Sequence, residues 1–384
     1  MSYLPLARRY RPTKFADLVG QEVLTKTLSH AITSNKIAQS YLLSGIRGVG
    51  KTTSARIIAK TINCTNLKDL VPCDECSNCL GFNKNSHPDI VEIDAASRTS
   101  VDDVRSIIES SEYRPLLGKF KVFIIDEVHM ISKSAFNALL KTLEEPPTGV
   151  LFIFATTEVN KIPLTIISRC QRFDLRRLTT DELILLLKAI SEAESIEFDE
   201  DALALIASKA DGSARDAISM LDQAAATATH STIKLEDVAK MIGAGDLSVT
   251  IDFLKAIINR DSLTVIKILQ KIYLTNSDLV SFFESIIDMI GYSSKMRAMD
   301  GYKLPEYATY QETITNLIKE IDLGKLSILW QIFTKGVLEL KESHNQLLAS
   351  EMLALKAIYA SGLPKPEDLV NKAIKSGLPR PDGE

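Results

Sequence analysis

Apolar residues arrive along this chain in two different rhythms. Up to about residue 175, short and nearly continuous apolar runs (40–44, 90–93, 122–125 and 150–155) alternate with stretches whose apolar residues recur every three or four positions (52–62, 101–110 and 134–142). Continuous short runs suit strands covered by helices on both faces, because neither side of such a strand meets water. The alternation predicts an α/β fold built on a parallel sheet. After Leu178 the strand signal stops. Residues 180–195, 199–210 and 214–227 read as three amphipathic helices, with Asp199 and Ser213 as N-caps and Gly212 as a break. Beyond Gly243 another helical block runs to about Ala360, in which 250–258 and 263–274 each bury one apolar stripe. The organisation predicted is an α/β domain over 1–178, a small helical domain over 179–243, an all-α domain over 244–362 and a loosely held tail over 363–384, where Gly-Leu-Pro recurs.

Composition narrows the function classes. The 384 residues are 45% hydrophobic and 24% charged, ordinary for a folded soluble protein. With 45 Lys+Arg against 49 Asp+Glu the net charge is −4, so any nucleic-acid contact must use a local basic surface. The longest apolar runs fall far short of the ~18 residues that span a bilayer, and the N-terminus has no signal-peptide core. A cytoplasmic protein with no membrane partner is expected. Five cysteines, four of them within 64–79, favour a metal over disulfides in a reducing compartment.

Gly45-Ile46-Arg47-Gly48-Val49-Gly50-Lys51-Thr52 fits G-x-x-x-x-G-K-[ST] between a predicted strand and a predicted helix. The glycines let backbone N–H groups wrap a phosphate at a helix N-terminus. Lys51 would reach the β- and γ-phosphates and Thr52 would ligate Mg²⁺. Asp126-Glu127 ends the run 122–125, placing a carboxylate for Mg²⁺ (Asp126) beside one that can orient and deprotonate water (Glu127). At the end of 150–155, Thr156 or Thr157 could sense the γ-phosphate or the water, although a Thr pair there also suits a simple turn. Arg169 follows a dozen residues later. Arg215 opens a helix, where the dipole disfavours a cation, so it leans on Asp216 or faces an anion. Each arginine also fits an ordinary surface ion pair.

Cys64, Cys73, Cys76 and Cys79 stand eight, two and two residues apart. Four thiolates at that spacing close a structural Zn²⁺ site with no open position. The turn formers Pro72, Asp74, Ser77 and Asn78 suit a tight knuckle. His87 is close in sequence but unnecessary, and Cys170 reads as a small buried apolar residue.

Together Arg11-Pro12, Val19-Gly20-Gln21, the phosphate loop, Asp126-Glu127-Val128-His129, Ser168-Arg169-Cys170 and Gly212-Ser213-x-Arg215-Asp216 resemble the clamp-loader clade of AAA+ ATPases. Within it the chain resembles the gamma/tau family of bacterial DNA polymerase III, through Leu6–Pro12 (LARRYRP), Glu92–Arg98 (EIDAASR) and Asn137–Pro147 (NALLKTLEEPP). The resemblance is strong over 1–243 and extends over 244–360 as a helical block. It implies an AAA+ sheet with a zinc insert, a helical lid and a helical collar that oligomerises, with Trp330 and Phe333 as interface anchors or core. It implies that Arg169 reaches the ATP of a neighbouring subunit, that Arg215 is the lid's sensor, and that Lys141 holds Glu127 inactive until DNA arrives. Arg98, Arg105 and Lys133 would face primer–template phosphates, with Ser100 where relatives carry a cation; plain solvated charges are the alternative. The implied partners are other loader subunits in a ring with copies of itself, the sliding clamp, primer–template DNA and the polymerase III core. The polymerase chemistry itself has no recognisable site in this chain. A branch-migration motor shares the phosphate loop but lacks reason for four cysteines, and a non-catalytic subunit would not need Lys51, Thr52, Asp126 and Glu127 intact.

Overall fold

The computed structural model describes residues 3–97, 101–227, 232–241, 247–275, 278–299, 301–304, 307, 310–319 and 321–362. The chain divides into two compact units, Met1–Lys234 and Leu235–Glu384.

The first unit opens with an arm carrying α1 (Leu6–Arg9), followed by α2 (Glu22–Thr33). Then come β1 (Ser40–Ser44), α3 (Lys51–Asn63), α4 (Ser77–Asn83), β2 (Ile90–Asp94), α5 (Val101–Ser111), β3 (Lys121–Asp126), α6 (Lys133–Glu144), β4 (Val150–Thr156), α7 (Leu164–Ile167) and β5 (Gln171–Asp174). The strands form one sheet in the order β2-β3-β4-β1-β5, and each neighbouring pair is parallel. Side-chain alternation divides the central strands between two cores. Leu42, Phe123, Ile125, Phe152 and Phe154 pack on one face with Phe136 and Leu139 of α6. Tyr41, Leu43, Val122, Ile124, Leu151 and Ile153 pack on the other with Leu24 of α2 and Ile57 and Ile58 of α3. Both faces are dry, which is why these strands show no polar alternation. Phe123 and Phe152 stack at 5.3 Å, and each fully buried Phe contributes about 1.5–3 kcal/mol of hydrophobic stabilisation. The edge strand β5 left no apolar run to read: of its four residues only Phe173 is buried.

Register matters for everything that follows. Ser44 pairs with Thr156 and Asp94 with Asp126, so β1, β2, β3 and β4 all run out at one edge of the sheet.

The same unit continues with α8 (Thr180–Ala193), β6 (Glu197–Phe198), α9 (Glu200–Lys209), α10 (Ala214–Thr227) and β7 (Thr232–Ile233). The expectation that strands stop after Leu178 is corrected here. Glu197–Phe198 pairs in parallel with Thr232–Ile233, too short a bridge to leave a period-2 pattern. Asp199 sits at the N-cap of α9 without a side-chain cap bond, and its backbone N–H donates to Ile233 O at 2.9 Å. Helix α8 instead carries a full capping box, Thr179 with Glu182. The arm is tied to these helices. Leu6 N–H donates to Asp222 Oδ2 at 3.0 Å, Tyr3 also bonds Asp222, and Arg9 and Tyr10 both bond Glu194.

The second unit is helical: α11 (Leu235–Met241), α12 (Leu247–Ile258), α13 (Ser262–Leu274), α14 (Leu279–Ala298), α15 (Gln311–Lys319), α16 (Leu323–Glu342) and α17 (Gln346–Ser361). Asp261, Asp278, Asp322 and Asn345 cap α13, α14, α16 and α17 through their side chains. Phe253, Phe282, Phe283 and Phe333 centre its core in mostly edge-on or tilted contacts. Phe333 is thus a core residue, whereas Trp330 is 44% exposed. Gly336 on α16 lets α17 approach closely, since a Cβ there would stand 2.1 Å from Leu353 Cδ1. The tail expected over 363–384 lies outside the described residues. Among the described residues no helix is long and apolar enough to cross a membrane.

Candidate functional site

Where β1 ends, the chain enters a loop whose Gly48 (φ 77°) and Gly50 (φ 107°) hold left-handed backbone conformations that side chains resist. Gly50 is the N-cap of α3, so the loop amides and the positive end of the helix converge on one point. Lys51, the first residue of α3, is buried, and its ammonium donates to the carbonyls of Gly45 (3.0 Å) and Ile46 (2.9 Å). Burial pushes its pKa down, against the pull of the Glu127 and Asp126 carboxylates. Thr52 Oγ1 donates to Asp126 Oδ2 at 2.5 Å, which puts a hydroxyl and a carboxylate side by side, an oxygen pair that fits Mg²⁺.

Glu127 follows with φ 47°, an uncommon conformation for a residue with a side chain, held in place by the structure around it. Its Oε2 accepts from Thr157 N–H at 3.3 Å and from Thr157 Oγ1 at 3.1 Å. His129 Nδ1 lies 3.4 Å from the same oxygen. These are the partners of Glu127 in place of the expected Lys141, which is exposed on α6.

A cavity of about 820 Å³ joins these groups to the helical segment and the arm. Its apolar wall comprises Pro12, Leu18, Val19, Leu178, Leu186 and Ile218. Its polar wall includes Lys51, Thr52, Asp126, Glu127 and arginines, among them Arg11 and Arg215. Arg47, Gly48, Val49 and Gly50 also line it. Arg215 belongs to α10, whose start is locked onto the phosphate loop: Arg215 N–H donates to Gly48 O at 3.2 Å, and a Cβ on Gly48 would strike Ser213 Oγ. Ser213 Oγ caps the helix by accepting from Asp216 N–H at 3.2 Å. Arg11 was not singled out from the sequence as a cavity residue. Its Nε donates to Thr53 Oγ1 at 3.1 Å, and burial, then the nearby Arg56, lowers its pKa. Nothing in the local pattern of the arm says that this cation folds inward; the signal that pointed to it was the Arg11-Pro12 pair that helps carry the family resemblance.

The four clustered cysteines come together between α3 and β2. Their sulfurs lie within 4.8 Å of one another, with Cys64 and Cys73 at 3.6 Å. Tetrahedral coordination with Zn–S near 2.3 Å calls for S···S distances of about 3.8 Å, so the donors fit zinc. Backbone N–H groups of Cys73, Cys76 and Cys79 point at the sulfurs of Cys64, Cys73 and Cys76 at 3.3–3.4 Å, the arrangement that favours thiolates. Burial works against the Cys76 thiolate, but hydrogen bonds from Thr65 and Cys79 prevail and draw its pKa down to about 6, whereas burial pushes the thiols of Cys64 and Cys79 up. His87 stays outside the set, its Nδ1 accepting from Asp89 N–H at 3.1 Å. Cys170 packs against the sheet core, and burial pushes its thiol up to about 12.

Three family profiles match along the chain: "DNA polymerase III, delta subunit" over residues 20–179, "DNA polymerase III clamp loader subunit, ATPase lid domain" over 185–230, and "DNA polymerase III subunits gamma and tau domain III" over 233–373. The chain is 38% identical to DNA polymerase III subunit gamma of Buchnera aphidicola subsp. Acyrthosiphon pisum, covering 94% of this chain and 100% of that one. It belongs to the DNA polymerase III gamma/tau family. It is also 39% identical to subunit tau of Bacillus subtilis (97% of this chain, 67% of the relative) and 35% identical to subunit tau of Escherichia coli (96% and 57%). The chain therefore spans little more than half the length of some longer gamma/tau relatives.

Within this gamma/tau chain Arg169, Arg105 and Lys133 do not line the cavity. Arg169 is exposed after α7, paired with Glu144 and donating to Thr165 O at 2.6 Å, and it does not line the cavity beside Lys51. Arg105 is exposed on α5 with Asp102 at 3.2 Å, and Lys133 is exposed at the start of α6. Arg98 and Ser100 lie outside the described residues.

Proposed function

We propose that this chain is the ATP-hydrolysing motor subunit of a bacterial clamp loader, which uses ATP binding and hydrolysis to place a sliding clamp on primed DNA for DNA polymerase III. The observation that carries it is the shared sheet edge, where the phosphate loop, Asp126-Glu127 and the α10 arginine face one cavity. The apolar wall suits a base, and Lys51 with the loop amides suits the phosphates. Mg²⁺ held by Thr52 and Asp126 would neutralise charge between the β- and γ-phosphates. Glu127 would orient the attacking water and take its proton, and Thr157 fixes that carboxylate. Arg215 would read the γ-phosphate from the lid. Arg169, exposed and outside its own cavity, is available to a neighbouring subunit's ATP, so hydrolysis would need an assembled ring with copies of this chain and other loader subunits. Zn²⁺ on Cys64, Cys73, Cys76 and Cys79 would cross-link the 64–79 knuckle. Arg98, Arg105 and Lys133 are proposed as DNA phosphate contacts, the helical region beyond the lid as the oligomerising collar, and the polymerase core and sliding clamp as partners in the cytoplasm.

Steady-state ATP hydrolysis, measured with loader partners and with or without clamp and primed DNA, tests this reading. Strong stimulation by clamp plus primer–template is expected. Stimulation by other DNA forms, indifferent to the clamp, would favour a branch-migration type of motor instead.

A further inference from the structure

A single imidazole lies between two carboxylates at the catalytic edge of the sheet. His129, on the turn after β3, has a side chain only 7% exposed. Its Nδ1 is 3.1 Å from Thr156 Oγ1 and 3.4 Å from Glu127 Oε2, while its Nε2 is 3.3 Å from Glu158 Oε1. Glu158 is kept ionised by Lys161, whose Nζ donates to it at 2.9 Å and lowers its pKa. Glu158 Oε1 can only accept, whereas the nearer neighbour of Nδ1, the Thr156 hydroxyl, can donate, so the ring proton is assigned to Nε2 and the lone pair to Nδ1. Thr156 Oγ1 already accepts from Glu158 N–H at 3.0 Å, which leaves its own proton for Nδ1. The chain Glu158–His129–Thr156 thereby closes on the last residue of β4. The next residue, Thr157, holds Glu127, and every one of these contacts falls on Oε2. While Nδ1 accepts from Thr156 it has no proton to give Glu127, so His129 acts on Glu127 through the strand end.

We propose that His129 is a positioning residue for hydrolysis, fixing the end of β4 so that Thr157 anchors one oxygen of Glu127 and leaves Oε1 for the attacking water. This rests on the reading of Glu127 as the hydrolytic base. Neither Lys51 nor the apolar wall of the cavity depends on it, so nucleotide binding should be spared.

The test uses the full chain in the assembled loader with clamp and primed DNA, comparing wild type, His129→Phe and His129→Asn. Phe fills the ring's volume without its nitrogens, and Asn offers an acceptor near the position of Nδ1. The expected result is a kcat lowered about tenfold or more in His129→Phe, the scale set by outer-shell partners elsewhere. Its ATP Kd should stay within about twofold and its thermal midpoint unchanged, and His129→Asn should recover most of the rate. A His129→Phe protein with wild-type kcat would overturn the proposal, as would a rate loss matched by weaker binding or an Asn variant no better than Phe. A wild-type loader that fails to hydrolyse ATP would instead remove the underlying reading, and the proposal with it.

Discussion

Individual side chains in this protein are fixed by arithmetic of donors and acceptors. Asp89 is buried and accepts three backbone N–H groups, from Leu116 and Leu117 at 2.7 Å and Gly118 at 2.8 Å. Burial opposes its charge, but those amides, Gly118 first, win and lower its pKa. Below the unfolded carboxyl's pKa near 4, the unfolded chain takes up a proton that folded Asp89 still refuses. Asp89 therefore contributes stability above about pH 4 that is lost as pH falls through its lower folded value. Asp89→Asn should cost about 1–3 kcal/mol at neutral pH and flatten the loss on acidification, as read by thermal midpoints between pH 7 and 3. Lys51→Ala belongs to the same scale. Removing the ammonium should abolish ATP binding in a titration while leaving the thermal midpoint close to wild type, and normal affinity would refute the phosphate assignment.

At the scale of elements, what was legible in the sequence is what the solvent-free sheet imposes. Strands β1, β3 and β4 carry apolar runs because both faces are covered, and α3 announces itself through the glycines that must precede it. The phosphate loop, Asp126 and Glu127 were readable because backbone geometry and phosphate chemistry both restrict those positions. Strand β5 and the β6–β7 bridge were not, since an edge strand with one buried residue and a two-residue pair leave no periodicity. Arg11 and His129 stood within the motifs that carry the resemblance but without a role of their own, for another reason: what they touch comes from segments folded against them, which no local pattern encodes. Two predictions test elements directly. Gly336→Ala would push a methyl into the buried side chain of Leu353 and should destabilise the helical unit by about 1–3 kcal/mol, measurable by urea unfolding. Cys76→Ser should lower zinc content from one equivalent per chain and expose the 64–79 segment to protease, while the sheet stays folded by circular dichroism.

At the scale of the molecule, the cavity is built by sheet, lid and arm together, but its own arginine set lacks Arg169. That residue lies exposed beside Glu144. Arg169→Ala should keep ATP affinity within about twofold and lower hydrolysis in the assembled loader by about 10³-fold, as loss of an arginine finger does. Mixed rings of Arg169→Ala and Lys51→Ala chains would separate the two roles, because each variant spoils a different face of the contact. An isolated Arg169→Ala chain hydrolysing as fast as the wild-type assembly would refute action in trans.

The arm has a consequence for anyone handling the protein. Its first turn is fastened to Asp222 and Glu194 on the lid, while Arg11 reaches Thr53 on the helix that begins with Lys51. Those dozen residues are a hinge pin between two plates. Trimming them to obtain a tidier fragment, or burdening Tyr3 with a bulky fused partner, would leave both plates folded but joined by fewer ties, the bond from Arg215 N–H to Gly48 O among those that remain, and the loss would surface as weakened nucleotide retention in a protein that otherwise looks intact.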